Sequence, residues 1–191
     1  MTTPGLGHNG GPTMDTGHRW RTHQWRKAQK AMMPNTIPLM VVRMRMRRAQ
    51  ELGMDYKTYA RVRQASGRDI LGLLFSSNAL RIIADGARLP DDRAARVGAV
   101  QGAQRLALVH RPHDPATVVA ANAAIDAADR APTLLQSWSE TAREIGGFIR
   151  DRRLPSDGVL VIGDAPLETE WAACARAAGY LRAEQFFATA P

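Results

Sequence analysis

Three short apolar runs, ILGLLF (70–75), RLALVH (105–110) and GVLVIG (158–163), constrain the fold more than any other feature of the chain. Between and after them lie alanine-rich amphipathic stretches: DDRAARVGAVQGA, DPATVVAANAAIDAA, TLLQSWSETAREIGGFIRD and PLETEWAACARAAGY. Strand-length apolar runs alternating with helix-period stretches argue for a parallel sheet covered by helices. The expected class is α/β: a small three- or four-stranded parallel sheet with helices over residues 69–191, about half of a doubly wound domain. Leu and Gly are weak strand formers, so ILGLLF is the run whose strand state rests most on its surroundings.

The first third of the chain has a different texture. Residues 1–68 hold 13 Lys or Arg against three acids (Asp15, Glu51, Asp55), a net +10. Residues 69–191 hold the other 13 basic residues against 15 acids, a net −2. Charge gathered in one segment of a near-neutral chain points to a polyanion, nucleic acid first and an acidic protein surface second. Residues 1–17 carry five glycines and two prolines with almost nothing apolar, and read as a flexible tail. Residues 18–68 then read as a basic helical module, giving three segments: 1–17, 18–68 and 69–191.

Within that module, HRWRTHQWRKAQKAM places Trp25, Ala28 and Met32 on one helical face. Trp25 fits a core position, and the cations around Trp20 and Trp25 fit a nucleic-acid grip. PLMVVRMRMRRAQELG starts on Pro38 and stops on Gly53. Its Met/Arg alternation has strand period as well, but Met, Arg, Ala, Gln, Glu and Leu all favour helix. A third helix, DYKTYARVRQAS, begins at Asp55 as N-cap and ends at Gly67.

Residues 47–65 resemble the helix-turn-helix segment of bacterial DNA-binding regulators. Ala49 stands at the close-approach position and Gly53 at the turn, while Leu52, Met54, Tyr59 and Val62 stand where that family packs its helix pair. The sequence departs from the pattern at Arg48, where an apolar residue is usual, and at Tyr59. The resemblance implies a recognition helix presenting Tyr56, Lys57, Arg61 and Arg63 to the major groove of double-stranded DNA. Arg43, Arg45, Arg47 and Arg48 would supply phosphate contacts, which position without specifying sequence. A ribbon-helix-helix reading fits less well, because it leaves only about five residues before Gly53, under two helical turns. The opening GLGHNGGP is similar to that of alphaproteobacterial, often phage-associated, proteins of varied function; it assigns no chemistry and would serve as a docking peptide for a protein partner.

In an open α/β sheet, ligands bind beyond the C-terminal ends of the strands. Ser76, Ser77 and Asn78 follow the first apolar run. His110, His113 and Asp114 follow the second, and Asp164, Glu168 and Glu170 follow the third. Parallel strands would bring these sets to one edge, with His110, Asp114 and Asp164 as candidates for acid–base chemistry or a metal. Helix capping accounts for Asp114 before Pro115, for Asp164, and for Ser137 with Glu140. GDAPLETEWAACARAAGY also resembles the fourth motif of haloacid-dehalogenase-type phosphatases, yet no strand ends in the Asp-x-Asp pair that carries that family's nucleophile. Cys174 sits beside Trp171 in a helical stretch and reads as packing. Walker, His-Glu-x-x-His, Cys-x-x-Cys and Gly-x-Ser-x-Gly motifs are absent, and no strand-like run leads into a Gly-x-Gly-x-x-Gly fingerprint, since the one such string, Gly5 to Gly10, lies in the tail.

The expectation is therefore a DNA-binding, helix-turn-helix-like protein with no cofactor and no structural metal. A small hydrolase or phosphotransfer-type enzyme and a protein-binding adaptor are the alternatives. A single cysteine, no leader-like start and no apolar run near the roughly 20 residues of a membrane span make the cytoplasm the expected compartment.

Overall fold

The structure is a computed structural model that describes residues 18–32, 37–82 and 87–188. The expected flexible tail, 1–17, lies outside the described residues. The chain divides after Val41 into an N-terminal unit and a body. The N-terminal unit contains helix α1 (His18–Met32) and the first residues of α2 (Leu39–Glu51). Trp20 and Trp25 on α1 are both about two-thirds exposed, so Trp25 is not the core residue that the helical spacing suggested.

The remainder follows in strict alternation after α3 (Tyr56–Ser66): β1 (Gly72–Ser76), α4 (Asp91–Gly98), β2 (Gln104–Val109), α5 (Pro115–Ala121) and β3 (Ala127–Arg130). The chain then returns through α6 (Trp138–Asp151) to β4 (Val159–Gly163), α7 (Thr169–Cys174), β5 (Gly179–Arg182) and α8 (Ala183–Ala188). All four pairings are parallel, in the order β3-β2-β1-β4-β5. The sheet has five strands, not the three or four expected. The additions are the four-residue edges β3 (AADR), made mostly of residues depleted in strands, and β5 (GYLR), whose lone strand former is Tyr180.

Every residue of β1 and β4 is buried, because helices cover both faces. Alternation divides the side chains between two cores. Leu73, Phe75, Ala107, Val109, Leu160 and Ile162 point to one face, where they meet α2, α3, α4, α5 and α8. Leu74, Leu106, Leu108, Val159 and Val161 point to the other, under Ile145, Phe148 and Ile149 of α6 and Trp171 of α7. The i, i+3, i+4 spacing of the three α6 residues is the apolar stripe of a helix laid on a sheet. Its start is held by a full capping box between Ser137 and Glu140.

The α2–α3 hairpin shares the first of these cores. Ala49, Leu52, Met54, Tyr59 and Val62 are all buried in it, alongside Phe75 and Phe186. Gly53 closes α2 at φ +70°, its N–H bonding to Gln50 O while Met54 N–H reaches back to Ala49 O. That is a Schellman turn, which favours glycine at the left-handed position. Asp55 caps α3 by accepting from Thr58 N–H at 2.8 Å. Arg48 clamps the end of α2 to the strands. Its guanidinium reaches the carbonyls of Ile70 (2.8 Å), Gly102 (2.9 Å) and Gln101 (3.1 Å), and the carboxylates of Asp69 and Glu51. A planar five-donor fork suits this set, and a lysine cannot reproduce it.

Arg48→Ala should therefore lower unfolding free energy by about 1.5–3 kcal/mol, the range for hydrogen bonds to a charged group. Arg48→Lys should recover less than half of the loss. Urea denaturation with an unchanged m-value is the measurement.

Candidate functional site

Parallel strands end on one edge, and the order β2-β1-β4 places a reversal of winding between β1 and β4. Ser76 ends β1, Ser77 and Asn78 follow it, His110 follows β2, and the segment from Asp164 to Glu168 follows β4. The centre of this edge is the carboxylate of Glu168, 1% exposed, at the end of a 3-10 turn (Pro166–Glu168). Its Oε2 accepts from Ser76 Oγ (2.7 Å), Asp164 N–H (2.7 Å) and Ala165 N–H (3.1 Å). Its Oε1 accepts from Asn78 Nδ2 at 2.8 Å. Gly163 makes room for it, since a Cβ there would lie 2.6 Å from Oε2 and 2.8 Å from the Tyr180 ring.

His110 completes the edge. Its Nδ1 lies 2.9 Å from Ser77 Oγ, and its own backbone N–H donates to that same oxygen at 3.1 Å. Ser77 is buried and its hydroxyl proton has no other acceptor among the described contacts, so it goes to Nδ1. The ring is then the Nε2–H tautomer. Burial holds the imidazole pKa below its ordinary value, against the opposing pull of Glu168, so the ring is neutral at pH 7. Nε2 lies 3.7 Å from Glu168 Oε1, too long for a hydrogen bond. Trp171 stacks on the ring, centroids 5.5 Å apart at 24°.

A cavity of about 470 Å³ opens over these groups, lined among others by Asn78, His110, Glu168, Trp171, Trp138 and Leu134. That volume lies within the range of small-ligand sites. Cys174 also lines it, but burial and Glu170 raise its thiol pKa, the reverse of an activated nucleophile.

The expected trio is not what assembles here. Asp114 caps α5 through Thr117 N–H and pairs with Arg130 at 3.6 Å. Asp164 is exposed, and it is its backbone N–H, not its carboxylate, that serves the site. Among the described residues, no group of three His, Cys, Asp or Glu side chains could hold a metal ion. Glu168, four residues beyond Asp164 in the chain, holds the position that Asp164 was expected to hold.

The structure also sorts the eight expected nucleic-acid contacts. Arg48 is the clamp described above. Arg63 reaches Tyr59 Oη (3.3 Å) and pairs with Asp69 (3.7 Å), while Tyr59 Oη donates to Asp69 (2.8 Å). Arg45 is half-buried with its Nε shielded and without a partner among the described residues, and Tyr56 is half-buried. Arg43 and Arg47 on α2, and Lys57 and Arg61 on α3, are exposed; among the described residues none of the four forms an ion pair. Each pair is spaced i, i+4, on one helical face.

Fold and edge together define an all-parallel, doubly wound α/β protein with a carboxylate-floored cavity at its strand ends. No family model, curated protein or solved structure matches the chain. Among the described residues no helix is long and apolar enough to cross a membrane.

Two outcomes test this geometry. The folded state holds the His110 proton less tightly than the unfolded chain does. Its contribution to stability is therefore complete above the unfolded imidazole value of about 6.5 and is lost as pH falls below it toward the folded value. Urea midpoints compared across that window should fall less in His110→Gln than in the parent. Gly163→Ala should destabilise by about 1–3 kcal/mol through overpacking against a carboxylate that four donors hold in place.

Proposed function

We propose that the chain binds double-stranded DNA through the exposed cations of its N-terminal helices. The observation that carries this reading is the sorting of the arginines. Those that serve the fold, Arg48, Arg63 and Arg68, meet Asp69, Asp69 and Asp157. Arg43, Arg47, Lys57 and Arg61 face solvent as two i, i+4 pairs without a carboxylate partner among the described residues. Cations held on rigid helices with no internal counter-charge are what phosphate contacts require. Helix α1, taken by itself, carries exposed Arg26 and Lys27 beside exposed Trp20 and Trp25.

In this reading Lys57 and Arg61 come from a helix whose inner face, Tyr59 and Val62, is fixed by the core. The buried positions of the helix-turn-helix resemblance support it, and Arg63, tied to Asp69, is a positioning residue. An adaptor role for the tail concerns residues outside those described. A phosphatase-type reading gains no support, since β1 ends in Phe75-Ser76, followed by Ser77 and Asn78, with no carboxylate.

Fluorescence anisotropy with a labelled duplex across a salt series tests the proposal. Four phosphate contacts give a slope of about −3.6 in log affinity against log salt, and the Arg43→Ala/Arg47→Ala double variant should flatten it by about 1.8. Lys57→Ala/Arg61→Ala should weaken binding further, and if these residues read bases it should also relax sequence preference. Absence of binding at low salt, or a slope that ignores all four substitutions, overturns the reading.

A further inference from the structure

The strand-end cavity has no part in the DNA-binding proposal, and its chemistry is specific enough to define a ligand class. At this edge of a parallel sheet, free backbone N–H groups commonly receive a phosphate. Here those donors are already taken. The N–H groups of Asp164 and Ala165 bond to Glu168, that of Ala79 to Ser76 Oγ, that of Ser77 to Leu108 O, and that of His110 to Ser77 Oγ. The protein's own carboxylate occupies the place of the anion. A second carboxylate, Glu170, also lines the cavity; the lining's cation, Arg111, is exposed. A phosphate or carboxylate ligand would meet a buried negative charge with few donors left to offset it.

Two groups on the cavity floor remain open to a ligand, and they are complementary. His110 offers Nε2–H, because Ser77 holds the proton off Nδ1. Glu168 Oε1 accepts one hydrogen bond, from Asn78, and has a further lone pair. The 3.7 Å between Nε2 and Oε1 sets a donor and an acceptor side by side. Beside Thr133, Gln136 and Thr141 the walls carry aromatic surface: Trp171 against the His110 ring, and Trp138, 55% exposed, with Leu134 nearer solvent.

We propose that this cavity binds a planar heteroaromatic lactam of the nucleobase type. The ring carbonyl would accept from His110 Nε2–H, the adjacent ring N–H would donate to Glu168 Oε1, and the ring face would lie against tryptophan. Guanosine carries that edge. Adenosine reverses its donor and acceptor, and 1-methylguanosine lacks the N–H. The site rejects free phosphate, so the base and not a phosphate is the recognised part.

Isothermal titration of the full chain with guanosine, adenosine, 1-methylguanosine and inorganic phosphate tests the assignment. Saturable binding of guanosine is expected, with no detectable heat from the other three. Trp138→Ala, an exposed position whose loss should leave the melting temperature unchanged, should weaken guanosine about tenfold, as loss of one stacking partner does. His110→Ala should abolish binding. Arg43→Ala/Arg47→Ala should leave it untouched, which separates this cavity from the DNA-binding helices. No guanosine binding, equal binding of 1-methylguanosine or adenosine, competition by phosphate, or indifference to Trp138→Ala overturns the proposal.

Discussion

A carboxylate removed from water needs hydrogen bonds in place of its lost hydration, and Glu168 is given four. They come from Ser76 at the end of β1, from Asn78 just beyond it, and from the backbone leaving β4. The two strands are neighbours in the sheet, but the chain between them runs out through β2 and β3 and returns through α6. Where such a sheet reverses its winding, the loops leaving adjacent strands turn to opposite faces and leave a gap. In this protein a side chain bridges that gap. The bridge fixes the loops that shape the cavity, places His110 opposite Oε1, and requires a glycine at 163 for steric room. It also decides the sign of the site, since the groups that would welcome an anion are bonded to one already.

The same logic of internal counter-charges explains the basic segment. Arg47 and Arg48 are consecutive, so helical geometry turns them about 100° apart. That rotation sends Arg48 to the loops entering β1 and β2, where Asp69 and three carbonyls wait, and leaves Arg47 in solvent. The departure from the helix-turn-helix pattern at position 48 thus has a structural cause. An arginine whose stem is covered and whose fork is fully bonded behaves as an inside residue. Arg96 makes a similar link, from α4 to the carbonyls of Gly53 and Phe186, and holds the hairpin turn against α8.

Much of the fold could be read from the chain because it rests on local signals. The three apolar runs became β1, β2 and β4; Gly53 and Asp55 formed the turn and cap their residue types favour; Ser137 and Glu140 closed a capping box. The edge strands were not legible. DPATVVAANAAIDAA has helical spacing throughout, yet α5 stops at Ala121 because buried Asn122 bonds to Ala87 O, Val118 O and Leu89 N–H. Two of those partners lie more than 30 residues away, and no local pattern announces them. The strand-end residues were partly legible: topology brought Ser76, Ser77, Asn78, His110 and Glu168 together, as parallel strands imply. Which acid would turn inward was not, because Asp164 and Glu168 differ only in the loop path, and a 3-10 turn after Pro166 decides it.

The Arg48 clamp and the cavity stand at opposite ends of the sheet. Arg48 ties α2 to Ile70, Gln101 and Gly102, which lie where β1 and β2 begin. The cavity lies where those strands end. From Asp69 to Ser76 an extended chain covers about 23 Å, so the Arg48 contacts and the cavity lie about the length of a strand apart. The connection between them is β1 itself, buried on both faces and paired on both edges. An element so fully packed transmits a displacement only by moving its neighbours with it, and coupling between sites needs a segment with two arrangements. A strand packed on both faces and paired on both edges is a spacer rather than a switch, so the cavity proposal and the DNA-binding proposal each stand on their own residues.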